Sequence, residues 1–310
     1  MENLRNEVIT ALKKKLGDGY RIFPEDQRKN NELVLQGIRI QKEDNPVSPV
    51  VYVGEFAHPY AAGKLDAGKI ADILLERCSQ GEIPQNLAYD LKDFDRMKGM
   101  VRIRLVNYGA NSKALANSPH RRFLDLAISY YLDIETGMAG RKGTGGITNA
   151  LMEIWGVSED ELYRLGMDRL LTADGCYTID LLRLLALENG LDENEAEELL
   201  KDQDRARMYV ATNRKHQYGA SCLLDRSLLK KMAEDVGCSL IIYPGSIHEI
   251  VILPQKDEGE SYLDTGDVQA INYNCALQDE WLSNSIYYFD REKQEVSIYK
   301  EGMPLPCSAA

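Results

Sequence analysis

Leu4, Val8, Ile9, Leu12 and Leu16 recur at helical spacing and stop at Gly17, which predicts a helix over residues 2–16. The period then shortens: 20–23, 33–40 and the β-branched run 50–53 read as strands. Ile70, Ile73, Leu74 and Leu75 make 65–77 an amphipathic helix, closing an α-β-β-β-α unit. The polar stretch 79–86, with Gly81 and Pro84, is the natural linker, and the helical segment 86–97 fits either side of it. Beyond it, 101–107 alternates as a strand and 124–134 is apolar enough for an interior one, with 111–118 and Pro119 forming a loop or short helix between them. Residues 149–155 are helical, Gly156 ends the run, and Ser158 with Glu161 forms a capping box for a helix reaching Leu171. Residues 178–205 read as an added helical pair.

From Met208 onward the pattern predicts strands at 208–212 and 220–224, a helix at 228–236 and strands at 239–243 and 249–253. A helix at 265–277 and a hairpin of 285–289 with 295–299 follow. Most strand connections are too short for crossovers, so the expected class is α+β, with mixed or antiparallel sheets and packed helices. The organisation expected is an N-terminal subdomain 1–85, a larger α+β domain 86–300 with a helical insertion near 172–206, and a tail 301–310.

Composition narrows the function classes. The 310 residues carry 37 Lys+Arg against 49 Asp+Glu, a formal net charge of −12. This disfavours bulk attraction to nucleic acid or to an anionic membrane. Much of the excess is local: 188–204 holds eight acidic residues against Lys201 alone, so a small anionic ligand elsewhere is less disfavoured. No apolar run approaches the roughly 20 residues of a membrane span, and the amino-terminal residues lack the pattern of a signal peptide, so a cytoplasmic protein is expected. The six cysteines stand singly, without a C-x-x-C pair. They are expected to be free thiols acting as small hydrophobes, with no metal site and no cofactor.

The sharpest polar constellation is Ser246-Ile-His248-Glu249 after Pro244-Gly245, a turn between two apolar strands. A nucleophile, a base and a carboxylate are nominally present, with Cys222 as an alternative nucleophile for His248. Residues this close along an extended segment seldom align as a triad, and the plainer reading has Ser246 and His248 satisfying backbone groups in a tight turn. A second set, Asn107, His120, Asp125 and Asn213, falls near strand ends, where a pocket could gather them. His120, Arg121 and Arg122 could take a phosphate or carboxylate; the plainer reading is a solvated loop, and for Asn107 and Asn213 a turn cap. The glycine-rich run 137–146 lacks the Gly-Lys-Ser/Thr of a Walker A loop and reads as a surface hairpin, and His248-Glu249 lacks the second histidine of H-E-x-x-H.

Several blocks carry a family resemblance. Val-Asn-Tyr (106–108), Pro-His-Arg-Arg-Phe-Leu-Asp-Leu-Ala (119–127), Met-Tyr-Val-Ala-Thr-Asn (208–213), Gly-Ala-Ser-Cys-Leu-Leu (219–224) and the segment through Pro-Gly-Ser-Ile-His-Glu-Ile-Val-Ile-Leu-Pro (244–254) resemble an uncharacterised bacterial domain-of-unknown-function family common in gut anaerobes. The sequence departs from it at Gly245, where the family has Ser, and in the acidic stretch after Leu171. The resemblance implies a fold and a bacterial cytoplasmic setting, and no activity. The preferred expectation is a non-enzymatic binding or regulatory protein using the surroundings of Asn107, Asn213 and His248, with a small molecule or a protein as partner and no direct contact to nucleic acid or membrane. One alternative is a small-substrate hydrolase built on Ser246 or Cys222 with His248. The other is an acidic inhibitor whose 188–204 surface masks a nucleic-acid-binding partner.

Overall fold

The computed structural model describes residues 2–43, 48–79, 87–136, 141–201, 207–255, 264–275 and 277–299. Its strands, in chain order, are β1 (Tyr20–Arg28), β2 (Val34–Lys42), β3 (Val50–Tyr52), β4 (Val101–Asn107), β5 (His120–Phe123), β6 (Leu126–Thr136), β7 (Arg141–Gly146), β8 (Cys176–Asp180), β9 (Tyr209–Asn213), β10 (Leu240–Pro244), β11 (Ile250–Pro254), β12 (Tyr287–Asp290) and β13 (Glu295–Ile298). They form three antiparallel sheets, ordered β1-β2-β3, β4-β6-β5 with β7 also on β6, and β13-β12-β10-β11-β9-β8. With helices filling the connections, the fold is α+β, as the strand spacing predicts. The chain divides into two compact units, Met1–Met100 with Leu132–Val157, and Val101–Tyr131 with Ser158–Ala310.

In the first unit, the helix Glu2–Leu16 buries Leu4, Val8, Ile9 and Leu12. Ile70, Ala71 and Leu74 of the helix Ala67–Ser79 join them in one core with Ile22, Ile38, Ile40 and Val53 of the sheet side. β1 runs beyond the expected 20–23, straight through Pro24, in register with β2 from Tyr20↔Lys42 to Arg28↔Val34. It is an edge strand, so the missing proline N–H costs no ladder bond. The helix Asn149–Trp155 ends at Gly156 in the left-handed region, and its Trp155 indole donates to Leu91 O at 2.9 Å.

The second unit is built on β10, whose residues are all buried. Ile241 and Tyr243 point to one face, where Tyr288, Ile286 and Val268 pack with them; Val268 belongs to the helix Thr265–Cys275. Leu240, Ile242, Ile250, Ile252, Tyr287 and Phe289 fill the other face and are fully buried. Burial on both faces explains why 240–244 is continuously apolar instead of alternating.

Three differences from the sequence expectation matter for the site. The segment 220–224 is not a strand but part of a buried 3-10 helix, Gly219–Leu224. It follows Tyr218, which is left-handed at φ 55, and Gly219 sits so tightly that a Cβ there would lie 2.1 Å from Thr212 Oγ1 and 2.4 Å from His248 O. Residues 176–180, in part grouped by hydropathy with the helical pair, form the edge strand β8 in register with β9, and the helices Leu181–Glu188 and Glu193–Leu199 follow. Finally, Cys176 and Cys222 are joined as a disulfide, with their Cα atoms 5.6 Å apart. The expectation of free thiols throughout is therefore corrected. The two residues are 46 apart in sequence and carry no local signal, whereas the β8–β9 pairing and the turn packed on β9 bring them together. Most of the linker at 79–86, residues 137–140 of the glycine run, 202–204 of the acidic stretch and the tail 301–310 lie outside the described residues; the remainder of the glycine run is β7.

Candidate functional site

The turn between β10 and β11 holds the serine–histidine pair. Ser246 Oγ accepts the His248 backbone N–H at 3.0 Å, and the Ser246 N–H donates to Glu249 O at 3.1 Å. The hydroxyl thus closes a local turn and makes no hydrogen bond to the imidazole. His248 Nδ1 accepts the Tyr218 backbone N–H at 3.1 Å, which in the neutral ring leaves the proton on Nε2, 3.9 Å from Glu280 Oε1. The ring stacks on Tyr218 with centroids 5.6 Å apart, Tyr218 meets Tyr131 edge-on at 4.8 Å, and the Arg104 guanidinium lies over Tyr218 at 5.1 Å while donating to its hydroxyl. This column fixes the histidine ring and supplies it with neither a nucleophile nor an orienting carboxylate at hydrogen-bonding distance. Glu249 instead faces Tyr177, whose phenol is held above its ordinary pKa by burial and by that carboxylate charge. Cys222 is buried within the disulfide and is no thiolate while the bond stands. Cys78 and Cys238 remain thiols, and burial pushes the Cys78 pKa up.

The residues of the second set each bond to neighbouring protein groups. Asn213 closes its own loop, donating to Gln217 O at 2.8 Å and accepting from the Lys215 N–H at 3.0 Å. His120 Nδ1 lies 2.9 Å from Ser118 O. Arg121 pairs with Glu159 and Asp160 above the Tyr163 ring; the Glu159 hydrogen bond holds the guanidinium firmly protonated, and its charge is compensated. Arg122 lies over Tyr108, 4.4 Å from the ring centroid, and donates to Leu124 O. Asn107 Oδ1 accepts the Ala110 N–H and its Nδ2 donates to Leu282 O at 3.1 Å. Asp125 accepts from Ser283 Oγ and from the Tyr287 hydroxyl. Among the described residues, no group of three or more His, Cys, Asp or Glu is placed to hold a metal ion.

Asn107 and Asp125 therefore share a target, the segment 277–284. Another anchor is the bond from the Ile247 N–H to Glu280 O at 2.8 Å, made inside the serine–histidine turn. The segment faces the helix Thr265–Cys275, seated on the sheet through Val268, and between them opens a cavity of about 400 Å³. Gln269, Asn272, Tyr273, Gln278, Trp281 and Asn284 line it. Trp281 Nε1 donates to Asn284 Oδ1 at 3.0 Å; Asn272 Nδ2 donates to the same oxygen at 2.8 Å and to Ser283 O at 2.9 Å. No residue singled out by sequence lines this cavity. Asn107, Asp125 and the 246–248 turn bond to the 277–284 segment that forms its wall, and the described lining is made of carboxamides and aromatic rings that belong to no motif.

Residues 1–291 match the family model DUF5688, described as a family of unknown function. The chain belongs to the DUF5688 family. Comparison with curated proteins and with solved structures finds no match. The DUF5688 match spans the serine–histidine turn, the 277–284 segment and every residue lining the cavity.

Proposed function

We propose that this DUF5688 protein is a non-enzymatic binding protein that receives a small molecule in the cavity between the helix Thr265–Cys275 and the segment 277–284. The observation carrying this reading is the lining: carboxamides and two aromatic rings around about 400 Å³, on a wall anchored by Asn107, Asp125 and Ile247. A volume of this size suits a small ligand, and convergent polar groups beside aromatic faces supply orientation and contact area. The hydrolase alternative draws no support from Ser246, bonded to the backbone, or from Cys222, bonded to Cys176. In the masking alternative the acidic face would be open to a partner, yet Glu193 pairs with Arg183, Glu198 with Lys201, and Asp192 with Glu195 caps the helix. A bacterial setting belongs to the same proposal.

The test is co-purification from the native cell followed by mass spectrometry of bound small molecules, with wild type and Trp281→Ala in parallel. A metabolite recovered with the wild type and lost from the variant supports the reading. Identical small-molecule profiles for the two would overturn it.

A further inference from the structure

The bonding of the two asparagines limits what the cavity can recognise. An indole N–H only donates and a backbone carbonyl only accepts, so the Trp281 and Ser283 contacts fix both amide orientations. Asn284 has its oxygen engaged by two donors, and its Nδ2 has no protein partner among the described residues. Asn272 has its Nδ2 engaged by two acceptors, and its Oδ1 has no such partner. The pair therefore offers one fixed donor from Asn284 and one fixed acceptor from Asn272. Tyr273 adds a ring that is 88% exposed, and Trp281 adds one whose indole edge is tethered.

Ligand classes separate on these features. An anion would find no Lys, Arg or His among the described lining residues and would approach a wall carrying Asp279 and Glu280 beside Gln278 and Trp281. A cation would find no carboxylate among the described lining residues. An apolar molecule would desolvate the carboxamides without replacing their hydrogen bonds. A nucleobase edge is read best by one amide that offers both its ends, and here each asparagine has one end already occupied. Adjacent hydroxyls suit the arrangement, because each both donates and accepts and can meet the Asn272 acceptor or the Asn284 donor. The C–H face of a pyranose ring matches the aromatic surfaces of Tyr273 and Trp281. Resting on the small-molecule reading above, we infer that the ligand is a neutral saccharide, one or two pyranose rings in size, with a ring face against the aromatics and a vicinal hydroxyl pair on the asparagines.

The chain has two tryptophans, so a ¹⁵N spectrum shows two indole N–H signals, assigned with Trp155→Phe. The intact protein is titrated with glucose, galactose, N-acetylglucosamine, maltose and cellobiose, then with adenosine, glucose 6-phosphate and a set of neutral non-sugar fragments. The Trp281 signal is expected to shift saturably with at least one neutral sugar while the Trp155 signal stays in place. Tyr273→Ala should weaken that binding about tenfold; with its ring so exposed, the melting temperature should be unchanged. Asn284→Ala should weaken it as well. A Trp281 signal that moves only with adenosine, the phosphate ester or non-sugar fragments would overturn the saccharide assignment and leave the small-molecule reading standing. A signal that moves with none of them would overturn both.

Discussion

Tyr287 and Asp125 show how single polar groups support the site. The Tyr287 ring is fully buried, yet its hydroxyl reaches Asp125 Oδ1 at 2.9 Å while Ser283 Oγ occupies Oδ2. Removing the Asp125 carboxylate strands two hydroxyl donors, whereas removing the Tyr287 hydroxyl leaves Asp125 its bond from Ser283. Asp125→Ala should lower unfolding free energy by about 2–3 kcal/mol and Tyr287→Phe by about 1 kcal/mol. The double variant should lose less than the sum in urea denaturation, since both delete one interaction. Burial and the Asp125 charge hold the Tyr287 pKa above the ordinary phenol value. The unfolded chain therefore releases this proton first, at about pH 10, while the native state retains it. The Tyr287 contribution is full below that pH and falls as pH rises above it, so Tyr287→Phe should flatten the alkaline limb of a stability-against-pH curve. A limb as steep as that of the wild type would assign the slope to other buried phenols such as Tyr130. Ser246→Ala should cost about 1 kcal/mol through the lost backbone cap. It should weaken saccharide binding less than Tyr273→Ala does, because Ser246 is not among the residues lining the cavity and acts on its wall only through the turn.

At the scale of elements, long periodic segments were legible and buried turns were not. β4 and β10, the helix Arg226–Val236 and the β12–β13 hairpin lie where the apolar pattern predicts them, because each carries its buried residues in a run of strand or helix length. Gly219–Leu224 misleads because Ala220, Cys222 and Leu223 are buried in a tight turn, and composition alone does not separate that from an interior strand. β8 escapes because it is an edge strand of half-buried residues with no strongly apolar stripe. The cavity escapes for a different reason: Gln269, Asn272 and Asn284 neither titrate nor bind metals, so their chemistry emerges only when the helix and the 277–284 segment face each other. The serine–histidine turn was legible as a polar turn; within it Ser246 accepts the His248 N–H and His248 accepts the Tyr218 N–H. The Cys176–Cys222 bond ties β8 to that buried turn across a 46-residue separation. Loop-closure entropy for that length corresponds to about 4 kcal/mol. Reduction, or Cys176→Ser, should shift the guanidinium midpoint downward, with thiol counting on the unfolded protein confirming that the bond is open. An unchanged midpoint after confirmed reduction would show that packing alone holds the Gly219–Leu224 turn.

Over the whole molecule the net charge of −12 separates the proposed ligand from its competitors by salt dependence. Seven units of the excess arise in 188–204, where eight acidic residues stand against Lys201. In the described part of that stretch, Glu193 and Glu198 are exposed and ion-paired, so added salt would weaken those pairs at little cost in stability. A partner held by this face would bind through screened, long-range attraction, and its affinity would fall steeply between about 50 and about 500 mM salt, as the Debye length contracts below 10 Å. A neutral saccharide in a cavity lined by carboxamides and aromatic rings releases no counterions. Its affinity should therefore change by less than about twofold over the same range. Charge reversal across Glu193–Glu198 should leave it unchanged too, while abolishing any complex made by the acidic face. Titrating the Trp281 indole signal at both salt concentrations checks the first expectation, and repeating the titration with the charge-reversed variant checks the second. A steep loss of sugar affinity with salt would require a charged group in the recognition, and among the described residues the lining of Gln269, Asn272, Tyr273, Gln278, Trp281 and Asn284 supplies none.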